Sequence, residues 1–170
     1  HIDVFFFFFV EAGVLCSVLY FEKRKMFWNI LTGICIGLAV LCKWLPAFIV
    51  IAVWLVLNYN KSDWMRITKG WLVIIISACV VFVPWQIYIQ SKFPAEYTIE
   101  MSRNYRHITQ VLDGQGGSIF YFFNKLFITL NEFIWVAFVW FCYKAFQKDT
   151  TKNRIALLLW VVIPFIFFSF

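Results

Sequence analysis

Residues 4–42 read VFFFFFVEAGVLCSVLYFEKRKMFWNILTGICIGLAVLC, and this stretch decides the fold. Two apolar runs, Val4 to Phe21 and Met26 to Cys42, are split by one short turn holding Lys23, Arg24 and Lys25. Runs of roughly 17–25 apolar residues are long enough to cross a bilayer as helices. The pattern continues downstream. Leu45 to Leu57 is a short third span, joined to the second at Lys43-Trp44-Leu45-Pro46, where the proline fits a new helix start. Gly70 to Gln90 is the fourth, Ile119 to Phe146 a fifth long enough to begin in the interface, and Ile155 opens a sixth.

Composition agrees. Of the 170 residues, 63% are hydrophobic and 14% charged, more apolar surface than one soluble core of this length can hide. Phe, Trp and Tyr reach 22%, and many stand where membrane–water interfaces would fall. The expected class is all-α, a polytopic transmembrane bundle of about six spans. The chain opens on His1, runs through Asp3 straight into an apolar segment, and stops inside another at Phe170. Residues 1–170 therefore read as part of one transmembrane domain, truncated at both ends, with no recognisable signal peptide. The five cysteines (Cys16, Cys35, Cys42, Cys79, Cys142) lie in apolar runs without a CxxC pair, as small buried thiols do.

Charge orients the stack. Alternate turns hold Lys23, Arg24 and Lys25; Lys61, Arg66 and Lys69; and Lys144, Lys148, Lys152 and Arg154, together ten of the fifteen basic residues. The opposite side has Lys43, Lys92, Arg103, Arg106 and Lys125, offset by Asp3, Glu96, Glu100 and Asp113. The positive-inside rule then puts the basic turns in the cytoplasm, with Asp3, Lys43 and the loop 91–118 outside. Topology accounts for the net charge of +6, and no nucleic acid partner is needed.

Several polar residues call for a reason. Asp3 at the outer mouth of span one suits a helix N-terminus, where the dipole favours an acid. Lys43 suits a snorkelling interfacial lysine, and equally an ammonium placed to meet a lipid-linked phosphate. The outer loop has helical periodicity from Ala95 to Leu112. One stripe is Met101, Tyr105, Ile108 and Leu112; the other is Glu96, Glu100, Arg103 and His107. That pattern describes a helix on the membrane surface, ended by Asp113-Gly114-Gln115-Gly116-Gly117. Its charged stripe reads first as a solvated face. Within the membrane, Glu11 and Glu132 lie near mid-depth, and Asn124, Lys125, Asn131 and Glu132 form a polar stripe. Interhelical hydrogen bonding is the plain reading of that stripe, and a groove wall for a charged, lipid-like ligand the sharper one.

The order of features is similar to a known family. Ile2-Asp3-Val4-Phe5 opens a Phe-rich span, and a basic turn follows. Then come Gly33 and Gly37-Leu38-Ala39-Val40-Leu41-Cys42-Lys43-Trp44-Leu45-Pro46, then Val83-Pro84-Trp85 at an outer span end. Phe93-Pro94-Ala95-Glu96-Tyr97, the glycine-rich turn and Phe120-Tyr121-Phe122 complete the series. Over roughly residues 1 to 130 this resembles the bacterial relatives of protein O-mannosyltransferases and the aminoarabinose transferases that modify lipid A. Both are membrane glycosyltransferases of the GT-C architecture. The resemblance implies a multi-pass enzyme of the inner membrane, active on its extracytoplasmic face. It would move a sugar from a polyprenyl-phosphate donor to a lipid, glycan or protein acceptor. It further implies that Lys43 holds the donor phosphate, that Arg103 or Arg106 adds to the clamp, and that Asp3 positions reactants as a catalytic acid residue. Trp85, Tyr97, Glu100 and Lys125 would line the substrate groove. The family's first outer loop, with its best-known catalytic acid, would precede residue 1. Trp44 stands where a glycine is expected after the lysine. Some relatives bind a metal through a histidine just after the loop Glu; here Met101 follows Glu100, so Glu100 and His107 are the candidates for a divalent ion.

The competing reading is a transporter or flippase segment whose path is lined by Glu11, Glu132 and Lys125. It places function at mid-depth, whereas the transferase places it at the outer face. A purely structural membrane subunit is a third. Cysteine labelling of the intact protein, with native cysteines replaced, tests the orientation. Positions in the loop 91–118 should react from outside the cell and positions near Lys61 should be protected; the reverse pattern would overturn the topology.

Overall fold

The computed structural model describes residues 2–59, 63–109, 133–145 and 155, and all regular elements among them are helical. They are α1 (Ile2–Lys23), α2 (Met26–Cys42), a 3-10 turn (Leu45–Phe48), α3 (Ile49–Asn58), α4 (Trp64–Lys92), α5 (Pro94–Thr109) and α6 (Phe133–Ala145). The second span keeps its expected bounds, and the fourth is longer at both ends, so Ser91 and Lys92 are helix rather than loop. Of the fifth span only α6 is described. The sixth, apart from Ile155, and the stripe of Asn124, Lys125, Asn131 and Glu132 lie outside the described residues.

Helix ends follow local chemistry. Arg24 ends α1 in the left-handed region (φ 56°), uncommon for a residue with a side chain, while its N–H still donates to Tyr20 O at 2.9 Å. At the far end of α2, Lys43 turns extended (φ −148°, ψ 116°), and the next segment opens as a 3-10 turn with Pro46 near its start. Asp63 caps α4: its carboxylate accepts the Arg66 N–H at 3.4 Å and pairs with the Arg66 guanidinium at 3.0 Å.

Helix α2 is the centre, packed against α1 on one side and α4 on the other. It runs antiparallel to α1: Lys43 at its C-terminal end meets Asp3, and Trp28 near its start lies under Lys23. With α4 it runs parallel, and here the two backbones touch. A Cβ on Gly33 would fall on the Ile74 carbonyl oxygen and 2.6 Å from Ser77 Cβ. A Cβ on Gly37 would lie 2.8 Å from both Ala78 O and Val81 Cβ. Glycines four apart on one face are what permit such an approach between apolar helices. Short α3 fits parallel to α1, with Val50, Val53, Trp54 and Leu57 fully buried.

Outside this core the surface is apolar. Phe5, Phe8 and Leu15 on α1 and Ile76 and Val80 on α4 are all well exposed, a surface suited to lipid or further helices rather than water. Helices α1 (22 residues) and α4 (29 residues) are long and apolar enough to cross a membrane. At 17 residues α2 is apolar and at the lower limit of a crossing helix, and the stretch Pro46–Asn58 is apolar but shorter.

The glycine contact yields a contrast. Gly33→Ala drives a methyl into α4 backbone and should destabilise the folded protein by about 2–3 kcal/mol. Gly13→Ala meets side chains alone, Val50 at 3.1 Å and Cys35 at 3.4 Å, and should cost about 1 kcal/mol or less. Thermal unfolding in detergent measures both, and equal midpoints would show that the α2–α4 contact is not that tight.

Candidate functional site at one end of the bundle

Asp3 lies in the first turn of α1 and Lys43 just past the last turn of α2. Each charge stands at the helix end whose dipole favours it. Because the helices are antiparallel neighbours, the two ends coincide, and Lys43 Nζ reaches Asp3 Oδ1 at 2.5 Å. Sequence reading named both residues without pairing them. The side chains are about half exposed, 48% for Lys43 and 49% for Asp3. Asp3 Oδ1 itself is shielded from solvent and accepts no hydrogen bond apart from this ionic contact. An ion pair this open stabilises a fold by about 0.2–1 kcal/mol, so helix packing, not the pair, holds the two ends together. Trp44, next to Lys43 in sequence, and Phe48, at the end of the 3-10 turn, both have partly exposed aromatic surface.

The opposite end is closed by a polar lock that the sequence reading did not single out. Trp54 Nε1 donates to Asn29 Oδ1 at 2.8 Å, and Asn58 Nδ2 donates to Trp54 O at 3.0 Å. Arg24 Nη1 donates to Asn58 Oδ1 at 3.2 Å, and Tyr20 stacks on the Trp54 ring. Gly70 on α4 leaves room for this cluster: a Cβ there would meet the Trp54 ring at 2.8 Å and Asn29 Nδ2 at 2.9 Å. Four segments are thus keyed together at this end, fixing the helix register at the other. Asparagines inside apolar runs were the visible signal, since a buried amide needs partners.

The remaining candidates are more dispersed. Trp85 is half exposed on α4 and stacks with Tyr88, one turn on, at 5.7 Å between centroids. Helix α5 bears out the expected loop helix and packs chiefly against α4. Its half-buried edge is Tyr97, Met101 and Asn104, whereas Tyr105 of the apolar stripe is two-thirds exposed, as a residue facing the lipid interface would be. The face covered by α4 is therefore rotated by about 40° from the apolar stripe. Glu100, Arg103 and Arg106 are exposed on α5, and the ion pair of Lys43 is with Asp3. Glu100 and His107 stand about 10.5 Å apart along α5, two turns of one helix. Among the described residues no three potential metal ligands converge. The His107 side chain, Lys125 and Glu132 lie outside what is described, and Glu11 points away from the helix core.

Among the described residues, an all-helical bundle with a lipid-compatible surface marks an integral membrane protein. The chain belongs to the dolichyl-phosphate-mannose-protein mannosyltransferase family, whose model matches residues 1–99. Membership makes it a membrane glycosyltransferase that uses a polyprenyl-phosphate-linked sugar donor. No curated protein and no solved structure matches the chain. The matched stretch holds Asp3, Lys43, Trp85 and Tyr97, and ends before Glu100, Arg103, Arg106 and Lys125.

A double-mutant cycle tests the pair. With Asp3→Asn, Lys43→Met and the double variant, unfolding free energies should show a coupling of about 0.2–1 kcal/mol. Strict additivity would mean that the two side chains do not meet in the membrane.

Proposed function

We propose that this chain forms the donor-phosphate end of a bacterial inner-membrane glycosyltransferase of GT-C architecture. Transfer takes place on the extracytoplasmic face, and the acceptor is a lipid, a glycan or a protein. One observation carries the reading: Lys43 and Asp3 meet at the mouth opposite the basic turns, within the family-matched stretch. The positive-inside rule makes that mouth the outer one.

The chemistry asks for a cation and an acid at one place. An acceptor oxygen forms a bond to the anomeric carbon, and the bond from that carbon to the donor phosphate oxygen breaks. The phosphate leaves with the electron pair and stays on its polyprenyl chain. Its charge needs stabilisation more than it needs a proton, which suits the Lys43 ammonium, with Arg103 and Arg106 as further cations. The acceptor hydroxyl proton goes to a carboxylate base, and Asp3 positions the hydroxyl for it. Trp85 and Tyr97 offer aromatic surface to the sugar or lipid, with Glu100 and Lys125 as polar contacts. A divalent ion at Glu100 and His107 would need a third ligand. The permeation reading has less support, since the family is one of transferases.

Transfer of mannose from polyprenyl-phosphate mannose by the full-length protein tests this, at matched expression. Lys43→Ala should slow turnover about 100-fold, as loss of about 3 kcal/mol of transition-state stabilisation implies. Lys43→Arg keeps the charge in another shape and should retain part of the activity. Wild-type transfer by the alanine variant would remove Lys43 from the site.

A further inference from the structure

We propose that the Asp3–Lys43 ion pair is a resting contact which the donor phosphate displaces, so that donor binding releases the Asp3 carboxylate to the acceptor. The inference rests on the reading of Lys43 as the donor-phosphate ligand. It makes the pair an ordering device: donor first, acceptor second.

Three observations carry it. The ammonium of Lys43 is already committed, 2.5 Å from Asp3 Oδ1, so an incoming phosphodiester anion must compete for it. Both side chains are about half exposed, so a headgroup can reach the pair, and a pair this open is weak enough to be exchanged. A deeply buried pair would resist exchange, because breaking it strands a charge. Finally, Asp3 Oδ1 is shielded and accepts no hydrogen bond beyond the ionic contact. Once the ammonium turns to phosphate, that oxygen is left without a partner beside a second anion. A buried acceptor in that state favours a hydrogen-bond donor, and the acceptor hydroxyl is the donor that the reaction brings. Before donor binding the same oxygen is occupied and the acceptor gains nothing from it. Trp44, adjacent to Lys43 in sequence and partly exposed, gives the polyprenyl chain an apolar flank along which to approach.

The consequence is a split between binding and turnover that a purely structural pair would not give. In Asp3→Asn the lysine is free of its competitor. The apparent KM for polyprenyl-phosphate mannose at saturating acceptor should fall about two- to five-fold, matching removal of a half-exposed pair. The kcat should fall at least about ten-fold, because the acceptor hydroxyl loses its carboxylate. Asp3→Glu keeps the charge and should leave the donor KM near wild type. Binding of polyprenyl phosphate alone to full-length protein in nanodiscs gives a second readout that needs no turnover. There Asp3→Asn should bind more tightly and Lys43→Ala more weakly than wild type. If Asp3→Asn misfolds, Asp3→Ser is read in the same two assays. Unchanged or weaker donor binding in the Asp3 variants, with Lys43→Ala still impaired, overturns the displacement and leaves the transferase assignment standing. Unimpaired binding by Lys43→Ala would overturn both.

Discussion

The contact on which the described bundle depends is the approach of α2 to α4 at Gly33 and Gly37. Two apolar helices in lipid gain nothing from hydrophobicity alone, because lipid tails solvate them equally well. What they gain is van der Waals contact, and that grows when the backbones come close. At Gly33 and Gly37 the missing side chains let the α4 backbone in, and Ser77 and Val81 fill the space beside them. With α4 pressed to one side and α1 to the other, α2 has almost no free face in its middle: Ile36, Ala39 and Val40 are buried. A helix held on two sides cannot slide or turn, so the position of Lys43 at its end is fixed by residues several turns away.

Polar groups are handled in opposite ways at the two ends. At one, Asn29, Trp54, Asn58 and Arg24 form a chain of hydrogen bonds. That end is closed, and closure suits a fixed point. At the other, Asp3 and Lys43 meet in an open, half-exposed ion pair. The charges there are held near each other by helix packing and not by their own attraction. Such an arrangement permits ligands to rearrange the charges without unfolding the helices that carry them.

Glu11 shows how lipid as solvent changes the interpretation of exposure. It stands on α1 among exposed Phe8 and Leu15, outside the described helix core. In water an exposed glutamate needs no explanation. On an apolar helix of membrane-spanning length a carboxylate is costly, and is normally turned to protein or to a wet cavity. The same reasoning applies to the apolar face of α4, whose exposed Ile76 and Val80 would be a liability in a soluble protein and are ordinary against lipid.

The sequence by itself determined the class and most of the element bounds. Lipid demands long, uniformly apolar helices, and that demand is written in composition and run length at α1, α2 and α4. Arg24 and Pro46 mark helix ends for local reasons, and the loop helix α5 is legible in its periodicity. The family resemblance also pointed to Asp3 and Lys43 as separate residues. What only the tertiary structure decided is which of these residues meet. The pairing of Asp3 with Lys43 depends on α1 and α2 being antiparallel neighbours in one register, set by Gly33, Gly37 and the Trp54 lock. The covered edge of α5 is the one that meets α4, so Asn104 is half-buried and Tyr105 is not. Helical periodicity says which residues share a face, but the direction that face takes is fixed by the neighbours against which the helix packs.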